Sequence, residues 1–141
     1  MTLKQLSIFI ENKAGRLFQV LNTLGEEEIR IKALTVADTS EYGILRLLVS
    51  DPDKAESLLK DKGFSVNITE VISIATPNEA GSFAGALKLL YNAGISIEYM
   101  YAFSIGGKEA IVFKTDNKEK AIQVFEHNSM EIIRAHALFN L

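Results

Sequence analysis

The chain has no cysteine and no tryptophan, only two prolines and two histidines, and no surplus of positive charge. Each shortage removes a class of function. Without cysteine there is no disulfide framework, no thiolate metal site and no cysteine nucleophile. Lysine and arginine number 15 against 18 aspartates and glutamates, a net charge of −3, so no basic face for nucleic acid or an anionic membrane is expected. His127 and His136 have no ligand pattern around them, and no metal is expected. No Ser/His/Asp constellation has a supporting motif, so no catalytic residue is named and no enzyme is expected. No apolar run approaches the ~20 residues of a membrane span. The opening MTLKQLSIFIENK is too interrupted for a signal peptide, so a soluble, cytoplasmic chain is the expectation.

What is present is a repeat. The 141 residues are 48% hydrophobic, enough for packed cores. The chain writes ENKAGRL at Glu11–Leu17 and PNEAGSF at Pro77–Phe83. Sliding it on itself by 66 residues aligns 5–66 with 71–132, with eleven identities in 62 pairs. They include Ser7/Ser73, Asn12/Asn78, Ala14/Ala80, Gly15/Gly81, Leu21/Leu87, Leu24/Leu90 and Ala55/Ala121. Each falls at the same architectural point in both halves. The domain is duplicated, as 1–69 and 70–141.

Each half gives one order of elements. Gln5–Ile10 and Val71–Thr76 read as first strands, followed by the Asn-x-Ala-Gly turn. Leu17, Val20, Leu21 and Leu24 then share a helix face, as do Phe83, Leu87 and Leu90, with Gly94 a natural stop. Strands follow over Ile29–Val36 and Ile95–Phe103. Turns at Ser40-Glu41 and Gly106-Gly107 lead to strands over Ile44–Val49 and Ala110–Thr115. Asp51 and Asn117 cap second helices, the first with Pro52 at its opening position. Short strands at Phe64–Ile68 and Met130–Ala135 complete the units. The C-terminal HALFNL, His136–Leu141, reads as one extra edge strand. The fold class is α+β: two tandem ferredoxin-like βαββαβ units, antiparallel sheets with helices on one face.

A unit of this length with this turn resembles the ACT domain, and the resemblance covers the whole chain as a tandem pair. Ala14 and Ala80 stand where that family often has proline, and no acidic residue directly precedes either glycine. The resemblance implies a regulatory module that binds a free amino acid between paired domains, forms a homodimer and acts on a metabolic enzyme. The second strand of the facing domain would help enclose the ligand, which directs attention to Thr35 and Met100. A ligand-free regulatory subunit docked on a biosynthetic enzyme, such as an acetolactate synthase-type complex, is the other reading.

The turn has chemistry of its own. Glycine ahead of a helix permits close backbone approach, and the first helical N–H groups favour an anion such as a carboxylate. The candidate ligand-binding residues are Asn12, Ala14, Gly15, Arg16 and Leu17 in the first turn. In the second they are Asn78, Glu79, Ala80, Gly81, Ser82 and Phe83, with Met100 as a wall. Asn12 or Asn78 can donate and accept, Arg16 can grip a carboxylate bidentately, and Ser82 can donate a hydroxyl. Leu17 and Phe83 would touch the side chain. The second turn, with small Ala84-Gly85 behind it, is the favoured pocket. The same residues also suit a bare strand-to-helix connection, with Asn as cap and Gly for geometry. Tyr99, Tyr101 and Phe103 share a strand face and read as core or inter-domain seam, or as a pocket wall. No cofactor is implied. RNA recognition lacks its aromatic and basic third strand, and a metal-chaperone role lacks its cysteine pair.

Overall fold

The computed structural model describes residues 1–11, 13–38 and 41–140. Its strands and helices alternate as the side-chain periods require. In order they are β1 (Leu3–Glu11), α1 (Arg16–Glu26), β2 (Ile31–Asp38), β3 (Tyr42–Val49) and α2 (Pro52–Asp61). There follow β4 (Ser65–Thr76), α3 (Ser82–Asn92), β5 (Ile97–Ile105), β6 (Lys108–Thr115), α4 (Lys118–His127) and β7 (Glu131–Ile132). The chain divides into two compact units, Lys4–Thr69 and Glu70–Leu141 with Met1–Leu3. Thr2 Oγ1 donates to the Glu70 carboxylate at 3.2 Å, an attachment of the first residues to the second unit.

In the first unit β1 lies between β3 and β4, with β2 at the far edge of β3. Pairing of β1 with β3 is antiparallel, Leu6 opposite Leu47 and Ile8 opposite Leu45. These residues belong to one buried cluster with Val20 and Leu24 of α1 and Ala55 and Leu59 of α2. Both helices therefore cover the same sheet face. In the second unit β6 lies between β4 and β5, and β7 pairs with β4. Its cluster gathers Ile72, Ile74, Ile111 and Phe113 from strands with Ala86, Leu90, Ala121 and Phe125 from α3 and α4. The Phe113 and Phe125 rings sit 5.6 Å apart. Each unit is a ferredoxin-like βαββαβ of antiparallel strands with helices on one face.

Local chemistry sets the helix starts. Asp51 accepts from the Lys54 N–H at 3.2 Å and Asn117 from the Lys120 N–H at 3.1 Å, with Pro52 opening α2. The β5–β6 hairpin turns at Gly106 and Gly107, both at positive φ, and closes with Ile105 opposite Lys108. The turn expected at Ser40 lies outside the described residues.

Several expectations need correction. The strands read as Phe64–Ile68 and Val71–Thr76 form one 12-residue β4, since nothing between them breaks extended backbone. Met130–Ala135 yields only the two-residue β7. HALFNL is no edge strand: Ala135–Ala137 is a 3-10 turn. There the Ala137 N–H donates to the Arg134 carbonyl at 3.0 Å and the Leu138 N–H to that of Ala135 at 3.3 Å, while Leu138 is buried. Those donors are used locally and none is left to build a ladder. Leu17 does not share the buried face of α1, because the helix begins only at Arg16 and Leu17 remains 38% exposed.

A bulge recurs in both copies, between Ile31 and Ala33 in β2 and between Ile97 and Tyr99 in β5. An extra residue resets the alternation. Ile97 and Met100 consequently both pack against the second unit's core, while Tyr99, Tyr101 and Phe103 are half-buried outside that cluster.

Candidate functional site

The two turns share one backbone conformation. Gly15 precedes α1 at φ 86°, ψ −10°, and Gly81 precedes α3 at φ 86°, ψ −8°. This left-handed geometry costs other L-residues roughly 1–2 kcal/mol and glycine nothing comparable, which explains the repeated glycine. A Cβ at either position would meet nothing within 4 Å, so the requirement is conformational and not steric. Neither glycine can offer a capping side chain, and among the described residues no side-chain cap replaces it.

At the second turn β4 ends and the chain reverses through Pro77. The Glu79 N–H donates to the Pro77 carbonyl at 2.9 Å, and the Ser82 N–H to the Glu79 carbonyl at 3.2 Å. The Gly85 N–H reaches the Gly81 carbonyl at 2.9 Å. Between them, the N–H groups of Phe83 and Ala84 find no acceptor among the described residues. Both residues line a cleft of about 470 Å³, together with Pro77, Asn78, Glu79, Ala80, Gly81 and Glu109. Glu109 arrives from β6, where it is registered opposite Thr76, and accepts from Ser104 Oγ at 3.4 Å. The cleft thus sets the positive end of α3 beside two carboxylates. Such a polarity suits a zwitterion, carboxylate on the helix and ammonium on the acids.

The first turn is arranged differently around the same backbone. Lys13 Nζ pairs with Glu11 at 2.8 Å, and the Lys13 N–H donates to the Glu11 carbonyl at 2.7 Å. The hydrogen bond from Lys13, then its charge, holds the Glu11 carboxyl below the usual carboxylate range, with Arg16 adding a smaller effect. Arg16 itself lies with its guanidinium 4.4 Å from the Phe64 ring centroid, and its Nη1 donates to Gln19 Oε1 at 3.0 Å. It lines a cleft running along α1 toward Glu26.

Of the residues singled out in sequence, the structure therefore brings Asn78, Glu79, Ala80, Gly81 and Phe83 to one cleft. Ser82 is half-buried and does not line it; Met100 packs against the core opposite Phe113. Ala14, Gly15 and Leu17 are exposed at the first turn, and Asn12 lies outside the described residues. Glu109 was missed, because only the β4–β6 register carries it to a turn more than twenty residues away. Among the described residues no group of three or more potential metal ligands occurs, and no helix is long and apolar enough to cross a membrane.

A duplicated βαββαβ unit with a glycine-initiated helix after its first strand defines a tandem pair of ferredoxin-like modules. The chain belongs to the ACT domain pair family, whose model matches residues 1–141. It is 44% identical to protein BT0572 from Bacteroides thetaiotaomicron, with a TM-score of 0.95 over 100% of this chain and 98% of that one. The fold is also shared with the ligand-free regulatory subunit of aspartate kinase from Thermus thermophilus, at 15% identity, TM-score 0.63, and coverage of 88% and 91%. The corresponding subunit from Thermus flavus has 16% identity, TM-score 0.59, and coverage of 97% and 94%. No curated protein matches the chain.

Proposed function

We propose that this ACT domain pair is a sensor of a free amino acid, held at the second turn, that modulates an enzyme of amino-acid metabolism. The observation carrying the reading is the pair of N–H groups at Phe83 and Ala84, without acceptors among the described residues, on two residues that line a cleft also lined by Glu79 and Glu109. The ligand carboxylate takes the N–H groups, its ammonium takes the carboxylates, and its side chain rests on Phe83. Binding changes the population of states that a partner reads. Likeness to regulatory subunits of aspartate kinase supports a role beside an enzyme. A homodimer is the expected assembly, twofold pairs being the commonest closure.

A thermal-shift screen against the twenty amino acids tests this. A ligand at 100 times its Kd stabilises by about 2.7 kcal/mol. Ala84→Glu is the discriminating variant, because a carboxylate in the first turn of α3 suits the helix yet occupies and repels the ligand's place. A selective shift lost in Ala84→Glu supports the reading; a shift unchanged in that variant, or a flat screen, overturns it.

A second reading, a ligand-free subunit docked on an enzyme, is favoured by one feature. The edge strand β2 exposes Leu34 and Val36 at 48% and 45%. A flat screen together with stable capture of a metabolic enzyme would select it.

A further inference from the structure

The cleft along α1 in the first unit is separate from the second-turn cleft and has a different chemistry. Its volume is about 360 Å³. Phe64, nearly fully buried, forms its floor, and Phe18, 67% exposed, stands at its side. Arg16 and Lys62 both line it, with Glu26 at its far end, and neither cation has a carboxylate within 4.0 Å among the described residues. The Arg16 guanidinium is fixed on two sides, by the Phe64 ring at 4.4 Å and by Gln19 Oε1 at 3.0 Å. A cation held in this way loses little freedom when an anion arrives, and its remaining N–H donors are already oriented.

The duplicate unit shows that the fold does not require this constellation. Sixty-six residues on, Arg16, Phe18 and Gln19 are replaced by Ser82, Ala84 and Gly85, and Lys62 and Phe64 by Asn128 and Met130. The same helix, in the same place on the same kind of sheet, folds without the cation pair and without the aromatic floor and side. Only the first copy carries them.

We infer that this cleft binds a small organic anion, a carboxylate or phosphate attached to a flat apolar body. Arg16 and Lys62 take the charge and Phe18 and Phe64 the body, while the Glu26 carboxylate at the far end is engaged by Asn22 Nδ2 at 2.9 Å. The inference is independent of the amino-acid reading, which concerns the other unit.

Amide chemical-shift titrations of the whole chain with benzoate, phenyl phosphate and neutral benzamide test it. Both anions should move amides across Arg16–Glu26 and Lys62–Phe64 saturably, benzamide should not, and amides of Glu79–Ala84 should stay still. Arg16→Gln and Lys62→Gln, both at the surface, should each weaken the anions about tenfold, the loss of one charge-assisted hydrogen bond. Tighter phenyl phosphate assigns the site to organic phosphates, and tighter benzoate to carboxylates; either supports the inference. Absence of shifts, equal shifts with benzamide, shifts confined to the second turn, or unchanged affinity in both variants would overturn it.

Discussion

Four helices end in the same way, and that uniformity makes a quantitative prediction. The residues Glu28, Gly63, Gly94 and Ser129 follow α1, α2, α3 and α4, and all have positive φ, at 58°, 89°, 72° and 58°. After each, the next N–H reaches back to the helix: Ile29 to Leu24 at 2.9 Å, Phe64 to Leu59 at 3.0 Å, Ile95 to Leu90 at 3.0 Å and Met130 to Phe125 at 2.9 Å. These are Schellman closures, with the accompanying apolar contact inside the cores. Two carry glycine and two do not, and the 66-residue repeat aligns Glu28 with Gly94 and Gly63 with Ser129. A left-handed residue with a Cβ costs roughly 1–2 kcal/mol, while glycine costs about 0.5–1 kcal/mol through the freedom of the unfolded chain. The difference leaves about 0.5–1 kcal/mol. Glu28→Gly and Ser129→Gly should therefore each stabilise by about that amount, and Gly63→Ala and Gly94→Ala should each destabilise equally. A Cβ at Gly63 or Gly94 meets nothing within 4 Å, so no clash confuses the comparison. Urea unfolding at constant m reads it as opposite shifts of the midpoint. Neutral glycine-to-alanine variants, or a destabilising Glu28→Gly, would refute the requirement for left-handed backbone at these ends.

Other expectations are more local. Asp51→Ala and Asn117→Ala each remove the acceptor that caps α2 or α4, and each should cost about 1 kcal/mol in denaturant unfolding. Phe113→Ala should cost about 3–5 kcal/mol, since the ring is fully buried against Phe125 and its removal leaves a cavity. The hydrogen bond from Lys118, then its charge, holds the Glu70 carboxyl below the usual range, and the bond to Glu70 raises Lys118. A depressed carboxyl favours the folded state at neutral pH and loses that contribution as pH falls through its folded value; the raised lysine loses its share as pH rises through its own. Glu70→Gln should flatten the acid limb of melting temperature against pH at low salt, and added salt should shrink the difference, both side chains being exposed.

Much of this fold was legible because its signals are local. Asp51-Pro52 announced α2, the alternation in LSIFI announced β1, and the 66-residue repeat supplied the second unit from the first. The failures came where tertiary context decides. Glu28 and Ser129 have no propensity for left-handed backbone, and only alignment with Gly94 and Gly63 points to it. Phe64–Ile68 and Val71–Thr76 looked like two strands, yet β4 runs unbroken through Thr69-Glu70, where the two compact units meet in sequence. Met100 was read as a pocket wall, and the register shift between Ile97 and Tyr99 leaves it packed against the core. At the second turn the motif itself was visible as Asn78–Gly81, but Glu109 was not, since a strand register has no signature in a single turn. The position of the Arg16 guanidinium over Phe64 was not legible either, being a contact made by residues 48 apart.

If the second turn, and not merely the fold around it, holds an amino acid, the N–H groups at the start of α3 must respond to that ligand. The most direct measurement is an amide titration of the whole chain with the amino acid that gives the largest thermal shift. Hydrogen bonds from the Phe83 and Ala84 N–H groups to its carboxylate predict downfield movement of those two amides, with smaller changes at Glu79, Gly81 and Glu109 and loss of the effect in Ala84→Glu. Movement confined to Gly15–Leu17, or stationary Phe83 and Ala84 amides at saturating ligand, would contradict the claim.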